Sequence, residues 1–184
     1  MDSYFTLQSN IEVSGEFVDR KSRFIAQLVH IESEDEANAF IEMVRKRHYD
    51  ARHNVPAWIL VDGRERQSDD GEPSRTSGMP TLEVLRGAGL KNVCCVVTRY
   101  FGGTLLGPGG LVRAYTAATQ AARQREAEAQ QAAADKARKR LRIHGLHAAN
   151  PQQGRALLGG HHLHGGQPQP LRQHIIHAAL SHIQ

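Results

Sequence analysis

Apolar and polar positions along the chain alternate first with the period of strands and then with that of a helix. IEVSGEFV (11–18) and SRFIAQLVHI (22–31) alternate as strands do, and DRK between them predicts a hairpin. Ser33 opens S-E-D-E, a capping box with Glu36 at the third helical position. Ala37, Phe40, Ile41 and Val44 then recur at helical spacing, and the cluster RKRH (45–48) suits a helix C-terminus. VPAWILV (55–61) has the length of a short buried strand, and QSDDGEPSRTSG (67–78) is loop by composition. Pro80 can open a helix through TLEVLR, and Gly87 can close it. NVCCVVTRYF (92–101) is the most strand-like run of the chain, and Pro108 starts a helix through LVRAYTAATQAA. This order predicts an α+β domain: a mixed β-sheet with helices on one face.

Composition divides the chain near residue 123. From 124 onward there is no Phe, Trp, Tyr, Val, Met or Cys, and eight of the eleven histidines lie there. QREAEAQQAAADKARKRLR favours helix by propensity. The rest of the tail has no sustained period, and so few large apolar groups offset little ordering entropy. Charge divides at nearly the same place. Residues after 120 hold nine Lys/Arg against three Asp/Glu, so the basic excess belongs to the tail. No run approaches the roughly 18 apolar residues of a membrane helix. MDSYFTLQSN lacks the basic start and apolar stretch of a secretory signal. A cytoplasmic protein with no membrane contact is expected.

Candidate chemistry centres on TRYFGGTLLGPGG (98–110), five glycines between a strand and a helix. Neither phosphate fingerprint is met. Pro108 stands where a P-loop lysine belongs, and Val112 where a third dinucleotide glycine belongs. A glycine loop feeding a helix N-terminus still exposes backbone N–H groups, and Arg99 and Arg113 flank it. The alternative is that the glycines serve tight packing and Arg99 pairs with a carboxylate. Asp69, Asp70 and Glu72 surround Gly71 without EF-hand spacing, which favours a turn over a metal site. His48, Asp50 and His53 cluster in HYDARH, and HHLH (161–164) could hold metal adventitiously, but no metal and no cofactor is expected. Cys94 and Cys95, adjacent in an apolar strand, suit neither a disulfide nor a nucleophile.

KSRFIA (21–26), HYDARH, SDDGEPSRTSG and above all VVTRYFGGTLLGPGGLVRAY resemble the YigZ/Impact family over about residues 4–122. Lys21, Ser22, Arg23 and Phe24 match its hairpin motif. Asp69, Asp70, Gly71, Glu72, Pro73 and Ser74 match its acidic loop, where Arg75 replaces a usual glycine. Arg99, Tyr100, Phe101, Gly102, Gly103, Leu106, Gly107, Gly109, Gly110, Leu111, Arg113 and Tyr115 match the signature. The resemblance implies a ribosomal S5 domain 2-like fold, the architecture of EF-G domain IV. Bacterial members look like nucleic-acid or ribosome-associated proteins. Eukaryotic members act in translational control, competing for an activator of a kinase that targets an initiation factor. No enzymatic activity is firmly attached to the family. Bacterial members also continue into a ferredoxin-like second domain. Here KRLRIH (139–144) is the candidate first strand, after which that pattern is lost, as if the gene were read out of frame.

The expectation is a domain over 1–122 and an atypical tail over 123–184, helical or disordered. The domain is expected to bind RNA, the ribosome or a translation-control protein. Its phosphate site would use Lys21, Arg23, Arg99, Arg113 and the amides of Gly102, Gly103, Gly109 and Gly110, with Tyr100 or Phe101 as stacking faces. The alternatives are an enzyme acting on a phosphorylated small molecule, with Asp69, Asp70 or Glu72 as base or metal ligand, or a pure protein-interaction module.

Overall fold

The computed structural model describes residues 5–9 and 11–143, with side chains to residue 140. HHLH (161–164) and the rest of the chain from residue 144 lie outside the described residues. The elements are β1 (Val13–Asp19), β2 (Ser22–His30), α1 (Glu34–Arg47), β3 (His53–Ile59), β4 (Glu65–Gln67), α2 (Gly78–Gly87), β5 (Val93–Tyr100) and α3 (Gly107–Ile143). Among the described residues, no helix is long and apolar enough to cross a membrane.

The fold is α+β. Five strands form one sheet in the order β1-β2-β5-β3-β4. The sheet is antiparallel at every neighbouring pair rather than mixed. The β2–α1–β3 crossover leaves a gap between two like-directed strands, and β5 fills it antiparallel to both. A parallel pairing survives at the isolated bridge of Phe5 with Leu90.

Helices cover both faces of the sheet, not one. Val93, Cys95 and Val97 pack under Leu82 and Leu85 of α2 and Leu111, Ala114, Tyr115 and Ala118 of α3. Cys94 and Val96, with Trp58 and Leu60, pack under Ala37, Phe40, Ile41 and Val44 of α1. The cause is that β5 is apolar at successive positions, so neither of its faces tolerates water. The two thiols therefore point to opposite sides. Burial pushes Cys95 up to about 12 and Cys94 well above the ordinary thiol range, so both act as small hydrophobes.

Local chemistry sets the ends of these elements. Arg20 and Lys21 both have positive φ, 44° and 65°, the left-handed geometry of a two-residue hairpin turn. Ser33 Oγ accepts the Glu36 N–H at 3.2 Å, and the Glu36 carboxylate accepts the Glu32 N–H at 2.8 Å. This closes the capping box one residue further back than usual.

Helix α3 runs for 37 residues without a break and crosses the expected boundary at residues 122–123. It lies directly on β1. A Cβ at Gly15 would meet Ala122 N at 2.1 Å, so only glycine lets the two backbones approach this closely. Arg125 Nη1 donates to Ser14 O at 3.0 Å, and Gln130 Nε2 to Thr6 O at 3.4 Å. From residue 127 to 140 every side chain is exposed. Pairs at i, i+4, Gln124–Glu128 and Gln131–Asp135, line that stretch. Lys139–Ile143 completes the helix rather than beginning a strand, because the Ala, Gln, Lys and Arg residues before it propagate helix strongly.

Candidate nucleic-acid interface

One end of the sheet gathers nearly all the motif residues. The β1–β2 turn, the start of β3, the end of β5 and the start of α3 meet there, with Arg23 opposite Tyr100 and His53 opposite Arg99.

Arg99 is not at the surface. Its side chain is 6% exposed and that of Glu72 is 3% exposed, with Nη1 to Oε1 at 2.6 Å. Tyr115 donates to the same oxygen at 2.9 Å. The guanidinium carbon also lies 5.4 Å from the Phe24 ring centroid and 5.6 Å from that of Phe101. The expectation that Arg99 is a free anion partner is therefore corrected. Strand β5 alternates, which sends Arg99 into the core beneath α3, where Glu72 neutralises it.

Gly102 also has a partner within the chain. A Cβ there would stand 2.1 Å from Lys21 C and 2.2 Å from Ser22 N, so the hairpin tip occupies that space. Gly102 N–H donates to Ser22 Oγ at 3.0 Å. Gly110 is buried beside Leu106, whereas Gly103 and Gly109 are exposed. The approach that excludes a side chain at Gly102 is thus the protein's own turn.

The acidic loop is consumed by structure. Asp69 Oδ1 accepts from Ser77 Oγ, Ser77 N–H and Gly78 N–H, which caps α2 from a distance, and its Oδ2 accepts the Arg75 N–H at 2.7 Å. Burial alone would raise the Asp69 carboxyl, but these donors outweigh it and hold the group below its ordinary range. Asp70 accepts from Asn54 N–H at 2.7 Å and from Arg45 at 3.2 Å. Glu72 holds Arg99. Arg75 takes the left-handed backbone, φ 63°, that a glycine would adopt without strain. Among the described residues, no group of three or more side chains could ligate a metal.

HYDARH does not form one cluster. His53 Nδ1 donates to Asp70 O at 2.7 Å, while His48 lies on the α1 side. There Gln27 Nε2 can only donate, so His48 Nε2 accepts it at 3.3 Å and the His48 proton sits on Nδ1. Nδ1 donates that proton to the Tyr100 hydroxyl, 2.9 Å from nitrogen to oxygen, and Tyr100 donates to Asp50 at 3.3 Å. Tyr100 is therefore engaged on the side of the sheet away from Arg99. Burial first, and then the Arg47 charge, lowers the His48 pKa below 6.5. The unfolded chain then binds that proton more readily than the folded one. The contribution is complete above about pH 6.5 and is lost as pH falls toward the folded pKa. Melting temperature is expected to fall as pH drops below about 6.5, ahead of carboxylate protonation. His48→Gln should remove that portion of the pH dependence. An identical profile in the variant would discard the chain of hydrogen bonds.

What remains exposed is cationic. Arg20, Lys21, Arg52 and Arg113 are exposed at this end and form no ion pair among the described residues. Arg113 lies along the start of α3, with Nη1 3.6 Å from where a Gly109 Cβ would stand, and Arg52 N–H bonds Arg99 O at 3.0 Å. Arg23 is held by both oxygens of Glu16, at 2.8 and 2.9 Å. Arg20 and Arg52 escaped sequence inspection because a single arginine in a turn carries no signal until the fold places it. Phe101 is 43% exposed and Leu105 80% exposed on the same loop.

Residues 20–123 match the model of the Impact N-terminal domain. The chain is 49% identical over 117 residues to the Bacillus subtilis IMPACT family member YvyE, covering 62% of this chain and 53% of that protein. It is 49% identical over 100 residues to the Escherichia coli IMPACT family member YigZ, covering 52% and 49%. A solved crystal structure of a hypothetical protein superposes with a TM-score of 0.63 at 41% identity, covering 67% of this chain and 61% of that one. The chain spans about half the length of the curated relatives it matches. The hairpin seated under the glycine loop, the acidic loop that holds a buried arginine and the family-model match over 20–123 together place the chain in the Impact N-terminal domain family.

Proposed function

We propose that the chain acts in translational regulation as an RNA-binding module, with ribosomal RNA within its range. One observation carries this: the segregation of charge at the end of the sheet. Every carboxylate of the acidic loop is turned inward onto a cap, a backbone amide or Arg99, while Arg20, Lys21, Arg52 and Arg113 are exposed and form no ion pair among the described residues. A surface so arranged attracts phosphates and repels little. That Asp69, Asp70 and Glu72 already accept from structural donors supports the binding reading over an enzyme that would use them as base or metal ligand.

Phosphate contact predicts a salt dependence. Lys21→Ala and Arg113→Ala should each weaken binding to a random RNA and reduce the slope of log affinity against log salt by about 0.7–0.9. Lys46→Ala, which removes an exposed cation from the last turn of α1, is the control and should change neither. Slopes unchanged by the first two variants, or lowered equally by the third, would reject this surface as the phosphate site.

A further inference from the structure

We propose that the open side of the Phe101 ring is a stacking platform for an unpaired nucleobase, so that the RNA taken at this end of the sheet is single-stranded. The proposal rests on the RNA reading above and deepens it.

Phe101 is apolar and 43% exposed, yet it is not a loose side chain. The backbone beside it is fixed, because Gly102 packs on Lys21 and Ser22 and donates to Ser22 Oγ. The Arg99 guanidinium lies against the ring, 5.6 Å from its centroid. Arg99 is itself held on several sides. Glu72 holds Nη1, Phe24 lies 5.4 Å away, and Nε is buried without a hydrogen-bond partner. A ring braced in this way loses little side-chain freedom when a flat ligand covers it.

The surroundings select the ligand. Lys21 and Arg113 flank the loop with exposed positive charge, and Leu105, 80% exposed, extends its apolar surface. A flat apolar face among exposed cations fits a base with its phosphates. Duplex RNA keeps its bases stacked on one another and offers none to such a ring, whereas single strands do. Tyr100, the neighbouring aromatic, is unsuited because its hydroxyl is engaged with His48 and Asp50 on the opposite side.

The test uses the full chain with Phe101→Leu, Phe101→Trp and Lys21→Ala. The probes are single-stranded RNA of about 12 nucleotides and a duplex of the same length, within the span of one such surface. Single strands should bind more tightly than duplex. Phe101→Leu should weaken single-strand binding about 10-fold and leave duplex binding unchanged. Phe101→Trp should retain affinity, and single-stranded RNA should quench its emission. The native Trp58 is 3% exposed and contributes a constant background. Circular dichroism should show both Phe101 variants folded, as expected for an exposed position. If Phe101→Leu binds single strands like the parent, or duplex binds as tightly as single strands, while Lys21→Ala still weakens binding, the platform is overturned and the phosphate surface stands. If neither RNA binds and Phe101 is instead needed to capture a translation protein, both fall.

Discussion

Glu72→Ala is expected to lower folding stability by about 3–5 kcal/mol, the cost of leaving a buried charge without its partner. Arg99 and Glu72 are 6% and 3% exposed, so water cannot replace the lost carboxylate. Tyr115 would lose its acceptor as well. That hydroxyl remains a donor throughout the working pH range, because burial and then the Glu72 charge push its pKa far above the ordinary tyrosine value. The double variant Glu72→Leu with Arg99→Met should recover most of the loss, since an apolar pair of similar volume needs no neutralising partner. Urea unfolding monitored by circular dichroism measures both. A loss below about 1 kcal/mol for the single variant would mean that solvent reaches the pair, as at an exposed salt bridge.

That pair also marks the limit of what the sequence makes legible. The Ser33 box, the Ala37–Val44 stripe and the DRK turn are local signals, and each sits where a short-range rule puts it. The covering of both faces of the sheet departs from the one-face expectation: VCCVV leaves β5 no polar face, but which helix covers which side depends on how the crossovers run. Strand β4 is only ERQ, two charges and an amide on a sheet edge, and it shows no alternation. Glu72 reaches Arg99 across 27 residues, and nothing in the spacing of either motif distinguishes a free arginine from a buried one. The same limit applies to Asp69, whose cap on α2 exists only once the loop has folded back. Composition changes near residue 123, yet helix propensity carries α3 through that point. A helix needs no change of backbone where its packed face gives way to solvent.

Gly102→Ala is expected to cost about 3 kcal/mol, at the upper end for overpacking, although it adds a single methyl group to a half-buried loop. The methyl would stand 2.1 Å from Lys21 C and 2.2 Å from Ser22 N. Those are backbone atoms of a tight turn, which cannot rotate aside as a flexible side chain could. Ser22 is fully buried, and its pairing with Asp19 closes the turn, so either the hairpin tip or the glycine loop must move. The Gly102 N–H bond to Ser22 Oγ would break with it. Gly103→Ala provides the contrast. Its Cβ would meet nothing within 4 Å, but its φ of 85° suits glycine, so about 1 kcal/mol of backbone strain is expected and no displacement. The two variants, compared by urea unfolding and by exchange of the residue 102 amide, separate packing from conformation. Gly102→Ala should speed that exchange strongly, and Gly103→Ala should leave it slow. Equal costs and equal exchange rates would mean that the loop does not rest on the hairpin, and the base for the Phe101 ring would be lost with it.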